Sequence, residues 1–157
     1  MASIKPSPSR LYEDDFYAWV QDQVRALRDH RTEELDWENV AEEIDDLGKS
    51  EKWSLESHLD TLIEHLLKLA YAEPTMRARN ARLWQGTVKF ARAKIRRRLA
   101  QSSSLRPKMD ELFSAAYENG RTKMLARIKL SEDAIPTAPP WILEQVLDDS
   151  FVPASAD

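Results

Sequence analysis

From residue 9 to residue 73 the chain has no proline, and within that run Val40, Ile44, Leu47, Leu55, Leu59, Leu62, Leu66 and Leu69 recur at helical spacing. At 100° per residue, with Ile44 at the origin, these side chains fall within about 60° of one line on either side. A stripe that keeps its phase for so long predicts one amphipathic helix over 37–72. The phase is continuous across Gly48, although Gly48 followed by Ser50 also has the form of a C-cap and a new N-cap. Asp36 stands at the N-cap position. A helix of this kind must have its apolar side covered by other helices, because no stretch alternates apolar and polar residues as a half-buried strand would.

Proline sets the remaining boundaries, being tolerated near helix starts and rarely inside helices. Between Pro8 and Pro136 only Pro74 and Pro107 occur. A first helix is expected over 14–30, with Phe16, Val20, Val24 and Leu27 inward. A third, over 75–101, aligns Trp84, Val88, Ala91, Ile95 and Leu99, and Ser102, Ser103 and Ser104 then break the pattern. The fourth places Met109, Leu112, Phe113, Ala116 and Tyr117 inward and continues past Gly120 towards Met124, Leu125 and Ile128. After a proline-containing linker over 131–140, a short helix over 141–147 closes the bundle with Trp141, Val146 and Phe151. The expected fold is all-α, a compact bundle of about five helices around one long central helix, with no sheet. One domain over 11–153 is expected, between a flexible N-terminal tail, 1–10, and a C-terminal tail, 154–157.

At 157 residues the chain is long enough to bury a core. Having no cysteine, it has no disulfide framework, thiolate zinc site, iron-sulfur cluster or cysteine nucleophile. Its three glycines, Gly48, Gly86 and Gly120, are too far apart for a phosphate-cradling loop or a dinucleotide turn, and no cofactor is expected. The start, MASIKPSPSR, lacks an apolar leader core, and the longest nearly apolar run, 66–72, is far below the roughly 20 residues that span a bilayer. A cytoplasmic protein without a membrane segment is therefore expected.

The net charge of −4 conceals a segregation. Residues 13–73 hold 18 acids against 6 bases, whereas residues 74–109 hold 11 bases and no acid. Such blocks suggest either a basic nucleic-acid surface or internal pairing of acidic and basic helices. Arg82, Lys89 and Arg96 form an outward column at heptad spacing, the candidate basic surface. Arg92 and Arg98 flank the apolar stripe, where they can reach towards the acidic helix.

Three histidines raise the question of metal binding. The Glu-x-x-His spacing of helical di-metal sites is absent, since Leu55 and Leu62 precede His58 and His65 by three. Glu51, His58 and His65 instead form a polar column on the apolar side of the long helix. Neighbours seven residues apart are separated by about 10.5 Å, too far to share one ion from this helix alone. This candidate buried polar site is either completed by another helix or satisfied residue by residue. Glu38, Glu42, Asp45 and Asp46 read as a solvated acidic face. Arg25-x4-His30 is similar to the catalytic motif of helical HEPN ribonucleases, at the point where the first helix runs out.

The segments LYEDDFYAWVQDQVRAL, ELDWENVAEEIDDLGKSEKWSLESHL, HLLKLAYAEP, RLWQGTVKFARAKIRRRLAQSSSLRP and PWILEQVLDDSFVP follow one another over residues 11–153. Together they resemble the bacterial family called domain of unknown function 29. The resemblance implies an all-helical fold and carries over no catalytic residue; His65 lies inside its HLLK motif. With no catalytic or metal-ligating set identified, the expected function is a non-catalytic interaction module, self-associating or binding a protein partner. Trp19, Trp53 and Tyr71, off the core stripes, are its expected contact anchors. One alternative is a nucleic-acid-binding protein, or an RNA nuclease, using the basic helix 77–98. Another is a metal-dependent hydrolase centred on His65.

Overall fold

The structure is a computed structural model in which residues 8–127 and 132–156 are described. Among these residues the chain forms six α-helices, α1 (Pro8–Asp14), α2 (Phe16–Arg28), α3 (Trp37–Tyr71), α4 (Pro74–Gln101), α5 (Met109–Arg127) and α6 (Leu143–Leu147). Short 3₁₀ turns cover Thr32–Glu34, Ser103–Lys108 and Glu132–Ala134, and the described residues contain no strand. The helix expected over 14–30 is α2, and a further helix, α1, precedes it. Asp15 separates them and accepts a hydrogen bond from Ala18 N at 3.0 Å, capping α2. Helix α1 starts at Pro8, inside the stretch expected to be a tail. Residues 1–7 of that tail and Ile128 of the fourth helix lie outside the described residues. Helix α3 passes through Gly48 unbroken.

By its internal packing the chain divides into two compact units, Met1–Ser50 and Glu51–Asp157, with the division inside α3. In the first unit the buried side chains of α2 are Trp19, Gln23 and Ala26, spaced by four and three. The expected stripe, Phe16, Val20, Val24 and Leu27, lies one residue further round, and Phe16 and Leu27 are exposed. Polar bonds accompany this rotation. Trp19 Nε1 donates to Asp36 Oδ2 at 3.4 Å, Asn39 Nδ2 donates to the same oxygen at 2.8 Å, and Asp36 N donates to Gln23 Oε1 at 2.8 Å. Trp19 packs edge-on to Tyr12 at 4.8 Å between centroids and stacks on Phe16 at 5.7 Å. Trp19, expected as an outward anchor, is therefore the centre of this unit, at 2% exposure. Helix α2 ends where His30 takes the left-handed conformation at φ 56° and Arg31 N donates back to Ala26 O at 2.9 Å.

In the second unit α3 contributes Leu55, Leu59, Leu62, Ile63, Leu66 and Leu67, all fully buried. They meet Trp84, Val88, Ala91, Ile95 and Leu99 of α4, and Met109, Leu112, Phe113, Ala116, Tyr117 and Met124 of α5, in one apolar cluster. After a two-residue turn, Glu73 caps α4 by accepting from Met76 N, and Pro74 occupies the first helical position. Glu51 bonds Arg98, so α4 runs antiparallel to this part of α3. A Cβ on Gly120 would meet Leu67 Cδ1 at 3.0 Å and Ile63 Cγ2 at 3.2 Å, which shows how closely α5 approaches α3. Val146 of α6 is fully buried, and Trp141 and Phe151 pack against the cluster and edge-on to each other. The expected C-terminal tail is tied down within its described part, where Ala156 N donates to Ala70 O at 3.0 Å.

Candidate functional site

In the polar column of α3, Glu51 and His65 each have a hydrogen-bond partner of their own. Arg98 Nη1 donates to both carboxylate oxygens of Glu51, at 2.8 and 3.1 Å, so Arg98 reaches the acidic helix as expected. His65 places Nδ1 2.8 Å from Thr61 O, one turn back on its own helix, where it acts as donor. Its neighbour Glu64 holds Lys68 at 2.7 Å and Arg127 at 3.2 Å, and the Lys68 bond lowers its carboxyl below the ordinary range. His58 is half-buried beside Lys94, Arg97, Arg98 and Gln101. Burial, then the charges of Arg98 and Lys94, hold its ring below the ordinary imidazole value. Glu51, His58 and His65 thus have separate surroundings. Among the described residues no group of three or more His, Cys, Asp or Glu could hold a metal ion. Arg25 turns to Asp22 at 2.7 Å and His30 terminates its helix.

The basic helix points three ways. Arg92, expected to reach the acidic helix, is turned the other way and buried at 2% exposure, donating to Val146 O at 2.8 Å, Asp149 O at 3.4 Å and Phe151 O at 2.9 Å. Arg96 is exposed and pairs with Asp149 at 2.7 Å. Arg82 and Lys89 are exposed, as are Arg79 and Arg97, and no acid among the described residues bonds any of these four. Two large apolar side chains stand among them, Leu83 at 69% exposure and Phe90 at 63%. Arg79, Arg82, Leu83, Gly86, Thr87 and Phe90 line a shallow depression, and Lys94 Nζ lies 5.0 Å from the Phe90 ring centre. This second apolar column was missed. Its signal was a seven-residue spacing about 120° away from the Trp84 stripe.

The first turns of α3 also depart from expectation. Ile44 and Leu47, placed on the buried stripe by their phase, are 63% and 69% exposed. Trp37, Ala41 and Gly48 are exposed with them. Along the edge of this stripe run Glu38, Glu42 and Asp45. Asp45 and Asp46 both hold Lys49, at 2.8 Å each, which pushes that ammonium's titration up, whereas Glu38 and Glu42 bond no described residue. On the opposite side Tyr12 donates to Glu43 at 2.7 Å, and that bond raises the phenol to about 12.

No helix among the described residues is long and apolar enough to cross a membrane. The model of the family described as Domain of unknown function DUF29 matches residues 11–152. No curated protein and no solved structure matches the chain.

Proposed function

The chain belongs to the DUF29 family, and on that premise we propose that it is a non-catalytic helical interaction module that pairs with a second copy of itself. The acidic apolar stripe of α3 in one copy lies on the outward face of α4 in the other. The observation that supports this most is the complementarity of the two faces. Trp37, Ala41, Ile44 and Gly48 form a stripe edged by Glu38, Glu42 and Asp45, and Leu83, Gly86 and Phe90 form one edged by Arg79, Arg82 and Lys89. A Cβ on Gly48 or Gly86 would meet nothing within 4 Å, so each face has an open position where another helix can come close. Each copy carries both faces, so the contact joins unlike faces of two copies. The apolar centre supplies affinity, and the charged edges set register and salt dependence. A bacterial cytoplasm is the proposed setting, supported by the absence of cysteine and by the family resemblance.

Sedimentation equilibrium tests the pairing. A dimer that weakens as salt rises is expected, with Ile44→Asp and Phe90→Asp each reduced to monomer while retaining helical circular dichroism. Charge-reversed E38K/E42K and R79E/R82E chains are each expected to be monomeric alone and to recover a heterodimer when mixed. A strict monomer at high concentration, or reversed chains that do not recover each other, would sink the proposal.

A second reading is favoured by one observation, the exposed Phe90 ring among cations without acid partners, a combination suited to stacking a base beside phosphates. Binding of a single-stranded RNA oligonucleotide with a steep salt dependence, lost in Phe90→Asp, would establish it. Anisotropy unchanged by the protein at low salt would dismiss it.

A further inference from the structure

His58 of α3 and Lys94, Arg97, Arg98 and Gln101 of α4 line a notch of about 240 Å³. The four α4 positions are spaced by three, one and three, which puts them on one side of that helix facing the histidine. No carboxylate lines the notch. Glu51, which faces the same region, is already engaged by Arg98. Arg97 and Lys94 bond no described acid, and Lys94 Nζ lies 5.0 Å from the Phe90 ring centre. Lysine and arginine can only donate hydrogen bonds, and the glutamine amide and a histidine ring N–H add two more donors. The notch is therefore a concave set of donors with surplus positive charge and no counter-ion of its own. A water's share of liquid volume is about 30 Å³, so the space exceeds a lone water several-fold and admits a tetrahedral oxyanion with part of its hydration.

We propose that this notch binds the phosphate group of a small phosphorylated molecule or free phosphate, with Arg97 and Lys94 supplying the charge and Gln101 and His58 orienting hydrogen bonds. Arg97 offers the planar fork that suits two phosphate oxygens, and Lys94 acts as a point charge. Protonated His58 would add a further charge-assisted bond. The positive surroundings that now disfavour protonation of His58, Arg98 and Lys94 together with burial, are offset when a dianion enters. Ligand binding and His58 protonation then favour each other by linkage, so His58 titrates at higher pH when phosphate is present.

The test is an NMR titration of the His58 ring in the whole chain, at fixed ionic strength, in chloride, in inorganic phosphate and in O-phosphoserine. An upward move of the His58 midpoint by about half a unit or more in phosphate relative to chloride is expected, a change easily read on the pH axis. Lys94→Gln/Arg97→Gln is expected to abolish the difference, with circular dichroism showing the fold retained. A response to phosphoserine alone assigns the notch to phosphate monoesters, and a response to inorganic phosphate alone assigns it to the free ion. Either upholds the proposal. Coincident curves in all three anions, or a shift that persists in the double variant, would overturn it. Because the exposed faces proposed for self-association do not include His58, Arg97 or Gln101, a chain carrying E38K/E42K is expected to keep the phosphate response.

Discussion

Arg92 sits at 2% exposure, and its hydrogen bonds go to three main-chain carbonyls, those of Val146, Asp149 and Phe151. Burial lowers its titration while Asp149 and Asp148 oppose that shift. The guanidinium fork thus fastens the C-terminal segment to α4, a role that a point charge cannot reproduce. Arg92→Met, close in volume, leaves three carbonyls without their donor and is expected to cost about 2–4 kcal/mol in urea unfolding of the second unit. Arg92→Lys should recover only part of that loss. A Met variant as stable as the parent would show that the bonds contribute nothing net. The sequence placed Arg92 correctly at the edge of the stripe, but its acceptors lie 54 to 59 residues away and are backbone atoms, which leave no mark in side-chain chemistry. Asp36 illustrates the same limit. Its position before the helix was legible, whereas its bonds to Trp19 and Gln23 were not.

The two glycines on α3 and α5 have opposite surroundings. Gly48 lies in open space within an exposed stretch, so in the monomer Gly48→Ala is expected to stabilise by about 0.5–1 kcal/mol through helix propensity. Gly120 already lies against Leu67 and Ile63, and Gly120→Val should destabilise by about 1–3 kcal/mol through overpacking. Thermal unfolding of the pair checks both signs, and a stabilised Gly120→Val would show that α5 can move away from α3 at little cost. At this scale the long helix, α4 and α5 were legible, with the stripe of α3 buried from Leu55 onward and those of α4 and α5, because periodicity over several turns is a strong signal. Helix α2 was read one position out of phase, since hydropathy favoured Val20 and Val24 over Trp19 and Gln23. A tryptophan and a glutamine become core residues only when partners satisfy their polar atoms.

For the whole molecule, the +11 block proves to be neither fully neutralised nor fully presented. Arg96 and Arg98 meet acids, Arg92 meets carbonyls, and Arg79, Arg82, Lys89 and Arg97 point outward. The pH dependence of stability follows from how individual groups are held. His58 titrates below its ordinary value of 6.5 in the folded chain, so the unfolded chain binds the proton first on acidification. Its contribution is therefore complete above about pH 6.5 and declines as pH falls towards the lower folded value. Glu64, lowered chiefly by Lys68, contributes above its ordinary 4.5 and loses that contribution as pH falls through its own depressed value. Urea midpoints of the second unit are thus expected to fall in two stages below neutrality, with His58→Gln removing the first stage. A first stage that survives in His58→Gln would assign it to another group.

The chain by itself determined that the described protein is helical, where its long helices run and which stripes of the second unit are buried, because those depend on local periodicity and on proline. It also determined that the charge is segregated. Only the tertiary structure decided that Ile44, Leu47, Leu83 and Phe90 face solvent, that Glu51, His58 and His65 do not share a site, and that a notch of unopposed donors opens beside His58. Phase along one helix says which residues share a face. What covers that face, and which charge meets which partner, depends on groups brought together from distant parts of the chain.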